Sequence, residues 1–132
     1  MVLRFLYKRQ KYTTTHIYIN KTRFKAILAD TPTKRAIGLM FRKGIKSNEC
    51  MLFAFNEDGR HGIWMYNMLF PIDVIWLNSK SAIIGMEQGI DPCKSIFKCE
   101  EYAPKNDSRY VIELKGGMVK RLGINRKSKV RL

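Results

Sequence analysis

Residues 64–76 read Trp64-Met-Tyr-Asn-Met-Leu-Phe-Pro-Ile-Asp-Val-Ile-Trp76, and this stretch decides the fold class. In Ile72–Leu77 both alternating faces are apolar apart from Asp73, the pattern of a central strand covered on both sides. Gly62–Asn67 is a second strand candidate. Pro71 marks a loop or an edge between the two, because proline cannot donate to a ladder. Working outward, His16–Ile19 and Phe24–Ala29 are β-like runs joined around Asn20-Lys21, which predicts a hairpin. Thr31 is an N-cap with Pro32 at the first helical position, so a short helix runs to about Met40. Met51–Phe55 is a strand, and Asn56–Gly59 a turn. Ala82–Glu87 and Arg109–Lys115 are further strands, with Gln88–Ser108 irregular between them. Gly116-Gly117 opens a short helix through Leu122, Gly123 ends it, and Lys129–Leu132 is a last short strand. These elements predict a mainly β (α+β) fold, a curled antiparallel sheet or partly closed β-barrel with two short helices.

A length of 132 residues with 45% apolar content suits one globular domain with a real core. We place a basic N-terminal segment at residues 1–15 and a single compact domain at 16–132. The net charge of +14 is unevenly spread. Residues 1–25 carry seven Lys/Arg and no acid, and residues 115–132 carry seven more and no acid. The middle is neutral, with eleven bases against eleven acids. Such ends attract phosphate-rich partners or an anionic surface, or serve only solubility. No apolar run is long enough to span a bilayer, and the start lacks the h-region of a signal peptide, so the expected location is cytoplasmic.

Cys50, Cys93 and Cys99 make no disulfide framework, and reduced thiols are the expectation, although Cys93 and Cys99 share one loop and are close enough in sequence to bridge. With only His16 and His61 available, no cluster has zinc spacing, and no cofactor motif is present.

Three polar residues stand inside apolar strings: Asn67, Asp73 and Glu113. Buried acids need partners, because an isolated ionised carboxylate is costly to desolvate. In one account they are internal ties: Asn67 caps the Met68–Phe70 bend, Asp73 accepts N–H groups of the same loop, and Glu113 pairs with an arginine. In the other they share a cleft with Arg42 and Met65, where two carboxylates do acid–base work. The recurrent methionines, Trp64 and Trp76 read as core packing rather than as metal or base contacts.

The chain resembles the domain of unknown function 192 family. Four blocks in order carry the resemblance: Thr31-x-x-x-Arg35-x-x-Gly38-Leu39-Met40-x-Arg42; Met51-Leu52-Phe53-x-Phe55; Trp64-Met65-x-Asn67 leading to Pro71-x-Asp73; and Val111-x-Glu113-Leu114-x-x-Gly117 with Gly123-Ile124 behind it. The resemblance implies a compact β-rich domain, often exported in bacteria, with no established reaction. This chain departs from the pattern at Cys50, where glycine is usual, at Met68, where threonine usually follows the asparagine, and at Lys127-Ser128, where Gly-Asp is common.

Three functions follow. The first is a non-catalytic domain binding a small ligand or protein partner at a cleft bordered by Arg42, Met65, Asn67, Asp73 and Glu113. The second is nucleic-acid binding through the basic ends, by Arg4, Lys8, Arg9 and Lys11 with Lys120, Arg121, Arg126 and Lys127. The third is a hydrolase or isomerase using Asp73 and Glu113.

Overall fold

The computed structural model describes residues 2–132. Its elements are α1 (Val2–Arg9), β1 (Thr14–Ile19), β2 (Thr22–Ala29), α2 (Pro32–Ile37), β3 (Glu49–Gly59), β4 (Ile63–Trp64), β5 (Ile72–Leu77), β6 (Ile83–Ile90), a 3₁₀ turn (Ile96–Lys98), β7 (Glu101–Tyr102), β8 (Ser108–Lys115), α3 (Met118–Arg121) and β9 (Val130–Arg131). Seven strands form one curled sheet in the order β6-β5-β8-β3-β2-β1-β9, and β4 pairs with β7 beside it. The mainly β expectation therefore holds.

β1 and β2 meet as a tight hairpin, with Ile19 opposite Thr22 and Asn20 in the left-handed region at φ 53°. β2 and β3 then run parallel, from Lys25 opposite Glu49 to Ala29 opposite Phe53, within an otherwise antiparallel sheet. A parallel pair needs a crossover, and residues 30–48, which include α2, provide it. Thr31 Oγ1 accepts the Lys34 N–H at 3.2 Å, with Pro32 in the first turn, as its sequence predicts. The helix stops at Ile37, short of the expected Met40, because the chain reverses at Gly38 with φ +53°. A β-carbon at Gly38 would lie 3.1 Å from the Phe53 ring, so glycine lets the helix end sit down on β3.

β5 is buried at all six positions, the two-sided central strand its sequence predicts. The Gly62–Asn67 expectation shortens to Ile63–Trp64, because Asn67 takes φ +61° and turns the chain away. Cys93 and Cys99 form a disulfide, which corrects the expectation of reduced thiols. The 3₁₀ turn between them brings their Cα atoms to 5.1 Å, within bridging range. α1 is a third helix, unforeseen within the basic segment. Leu3, Leu6 and Tyr7 recur at helical spacing there, and the Tyr7 ring packs 5.7 Å from that of Phe41 beyond α2.

Each face of the sheet carries its own core. Ile17, Phe24, Cys50, Leu52, Ile75, Leu77, Ile112 and Leu114 pack on one face beneath Met118, Val119 and Ile124 of the C-terminal segment. Ile27, Met51, Phe53, Val74, Trp76 and Val111 pack on the other against Leu39, Met65 and Met68. Strand alternation sorts neighbouring residues onto the two faces.

Candidate functional site

Glu113 lies opposite Val74 on β5 and Met51 on β3, so it points to the face that α2 covers. There it lines a cavity of about 480 Å³. The remaining walls come from α2 and the turn after it (Arg35 to Met40), from Phe53 and Phe55 of β3, from Val111 beside Glu113, and from Met68. The β4–β7 pair adds Trp64, 40% exposed, and Glu101.

Glu113 is 5% exposed, and among the described residues it has neither an ion-pair nor a hydrogen-bond partner. Burial pushes its carboxyl up to about 8, so it is mostly protonated at neutral pH. The arginine that lines the same cavity is committed elsewhere: Arg35 Nη1 donates to the Ala54 carbonyl at 2.9 Å, and its guanidinium lies 5.3 Å over the Phe55 ring. Phe55 also stacks on His61, with ring centroids 3.6 Å apart. The pairing of Glu113 with an arginine is therefore not made. What remains is an apolar cavity with one neutral carboxyl in its wall.

Asp73 stands one residue away from this arrangement and on the opposite face. It is opposite Leu114, whose side chain belongs to the α3-covered core. It is fully buried, and its carboxylate accepts three backbone N–H groups: Gly89 at 2.8 Å through Oδ1, and Gly117 at 3.1 Å and Val119 at 2.8 Å through Oδ2. It thus caps α3 from the strand beneath it and ties down the bend at the end of β6. These donors lie outside its own loop, unlike the local ties that the sequence suggests. The thickness of the sheet separates the two acids, so the Asp73–Glu113 pair required for hydrolysis or isomerisation does not form.

The other expected cleft residues are dispersed. Asn67 pins the turn after β4: its carbonyl accepts the Phe41 N–H at 3.0 Å, and its amide contacts Met40 Sδ at 3.8 Å. Met65 is buried in the α2-side core. Arg42 stacks 5.0 Å over Tyr12 and 5.9 Å over Tyr7, beside α1. Of the five, Glu113 alone lines the cavity. Phe53, Phe55 and Arg35 read in the sequence as strand or helix residues, and the cavity between β3, β8 and α2 brings them together with Glu113. Glu101 carries no sequence signal, since it reaches the lip only through the β4–β7 pairing.

The two basic ends also part. Arg4 and Arg9 are on α1, where Arg4 lies 5.4 Å over Phe41 and Arg9 5.4 Å over Phe5, with Lys8 and Lys11 nearby in sequence. Lys120 and Arg121 belong to α3 on the other face, and Arg126 and Lys127 to the turn before β9. β9 pairs with the far end of β1, at Tyr18 and Ile19, whereas α1 leads into its beginning. No helix among the described residues is long and apolar enough to cross a membrane.

Fold and site together define a class: a small β-rich domain with one curled, mixed sheet and an apolar cavity holding a buried carboxyl. The chain belongs to the DUF192 family, described as uncharacterized ACR, whose model matches residues 15–132. It is 34% identical to the UPF0127 protein TK1120 of Thermococcus kodakarensis over 113 residues, which span 80% of this chain and 66% of that protein. It is 34% identical to a UPF0127 protein of Thermococcus gammatolerans over 99 residues, spanning 74% of this chain and 59% of the relative. The chain thus covers less than two thirds of the length of these relatives. A solved structure of a candidate transcription regulator from Sinorhizobium meliloti 1021 superposes with a TM-score of 0.85 at 25% identity, covering 93% of this chain and 96% of that one. A protein of unknown function from Novosphingobium aromaticivorans DSM 12444 gives 0.82 at 24% identity, covering 94% of each chain, and shares the fold.

Proposed function

We propose that this is a non-catalytic binding domain whose cavity beneath α2 takes a small, neutral, largely apolar ligand. Glu113 carries the proposal: a buried carboxyl facing an apolar cavity without a protein partner. Its proton faces the cavity, where a ligand carbonyl or ether oxygen is placed to accept it. Ile37, Leu39, Phe53 and Val111 offer apolar surface to the rest of the ligand. The volume falls within the ~300–1,000 Å³ typical of small-molecule sites. An anionic ligand would lose its hydration against a mostly apolar wall whose one arginine, Arg35, already donates to the Ala54 carbonyl. A cationic one would have to pass Arg35 and would need Glu113 ionised in an apolar wall. Asp73, the other acid of the expected catalytic pair, lies on the opposite face of the sheet, and Glu101 lies at the lip of the cavity, an arrangement that favours binding over catalysis.

The test uses N-phenyl-1-naphthylamine, a neutral apolar fluorophore, titrated into the intact protein. The expected result is a saturable fluorescence rise at one site per chain, abolished by Ala36→Trp, which fills the cavity from an exposed helical position. Absence of saturable binding, or binding indifferent to Ala36→Trp, overturns the proposal.

A further inference from the structure

On the side of the molecule away from α1, the C-terminal turn folds against two other turns, and all three carry bases. Two grooves result. One, of about 490 Å³, runs between residues 80–83 and 126–130 and is lined by Lys80, Arg126, Lys127 and Lys129. The second, of about 430 Å³, is lined by Lys21, Lys129 and Arg131 beside Tyr18. They share Lys129 and Val130, so they adjoin at the C-terminal turn as one basic track, and no acid lines either. Among the described residues the sole ion pair is Arg109–Asp58, so the bases along the track have no ionic partner.

The track is also held in shape. The Asn20 side chain accepts the Lys129 N–H at 3.0 Å and donates to Ser128 Oγ at 3.2 Å. Ser128 Oγ accepts the Asn125 N–H at 2.9 Å, and Asn125 Oδ1 accepts the Lys127 N–H at 2.8 Å. The Arg131 guanidinium lies 4.4 Å over the Tyr18 ring. These bonds tie the C-terminal turn to the β1–β2 hairpin. They hold like charges together in the folded state, although exposed charges within a Debye length of ~8 Å repel. A partner that supplies negative charge at regular spacing relieves that repulsion and releases counterions.

We infer that this track binds the phosphodiester backbone of a nucleic acid strand. Its concave form suits a chain lying in it better than a flat headgroup layer. A bilayer contact relies on exposed apolar side chains to insert, and none of the exposed Val2, Phe5, Trp64, Leu69, Ile96 and Phe97 lines the track, with only Leu132 adjoining it in sequence. The track joins bases of the C-terminal segment to Lys21 of the β1–β2 hairpin and Lys80, and it leaves α1 outside the surface. It is independent of the cavity, which the α2 side of the sheet holds.

The experiment measures fluorescence anisotropy of a labelled 20-nucleotide single-stranded RNA against salt, with the full chain. About four phosphate contacts give a log–log slope near −3, at ~0.7 per contact on single strands. The triple variant Lys80→Gln/Lys127→Gln/Lys129→Gln is expected to weaken binding at least about tenfold at low salt and to flatten the slope by about 2. Lys8→Gln/Arg9→Gln/Lys11→Gln removes the same charge from the α1 side and leaves the slope unchanged. All these side chains are exposed, and circular dichroism checks that both variants fold. Equal losses in the two variants would reduce the effect to net charge and overturn the inference. So would absence of RNA binding, or capture by phosphatidylglycerol vesicles alone.

Discussion

Replacing Glu113 by glutamine keeps the shape of the side chain and removes its titration. The carboxyl shifts from 4.5 to about 8 on folding, because burial penalises its charged form. The folded protein therefore keeps a proton that the unfolded chain gives up. Stability is complete below pH 4.5, falls as pH rises, and levels off beyond about pH 8. At ~1.4 kcal/mol per pH step the full loss is about 5 kcal/mol, undiminished by solvent screening since the group is 5% exposed. Glu113→Gln escapes this loss. The measurement is urea denaturation of both proteins, followed by tryptophan fluorescence at about pH 5 and about pH 8.5, and the advantage of the variant is expected to grow by about 4 kcal/mol between them. Other titrating groups are common to the two proteins and cancel in the difference. A gap that stays constant with pH would show that Glu113 ionises in the folded state like an exposed carboxylate, and the reasoning about a neutral cavity wall would fall with it.

Asp73→Asn is expected to act in the opposite sense: it turns an amide toward backbone donors that a carboxylate satisfies, and costs about 3 kcal/mol at neutral pH. A loss below about 1 kcal/mol in the same denaturation assay would deny Asp73 its three-way tie. Cys50 is fully buried, with its thiol pushed up to about 12, so the native protein is expected to resist thiol reagents at mildly alkaline pH. Unfolded without reductant, the chain should titrate one thiol, and finding three would rule out the Cys93–Cys99 bridge. Cys93→Ser/Cys99→Ser is expected to lower stability by about 2 kcal/mol, from the loop entropy of a short closed loop.

Much of the sheet was legible because alternation and turn chemistry are local. The Asn20-Lys21 hairpin, the Thr31 cap and the two-sided burial of β5 all follow from neighbouring residues. The parallel β2–β3 pairing was not, since it depends on a crossover whose ends meet only in three dimensions. The same limit applies to the site. Sequence alternation puts Asp73 with Ile75, and Glu113 with Val111, on one face of each strand. Only the register of β5 against β8 shows that these are opposite faces. The resemblance blocks contained Asp73, Asn67 and Glu113 without separating a capping acid, a turn residue and a cavity acid, because all three interrupt apolar strings in the same way.

The crossover between β2 and β3 has a further consequence. Sheet residues of the cavity, Phe53, Val111 and Glu113, sit in strands whose register is fixed by neighbours on both sides. The wall facing them belongs to an excursion that leaves the sheet after Ala29 and rejoins it at Glu49. Substitutions or length changes in that excursion reshape the chamber without breaking a single ladder bond. Within this fold, chamber size and selectivity are thus free to diverge while the buried carboxyl stays in place, as a lock keeps its housing when its pins are changed.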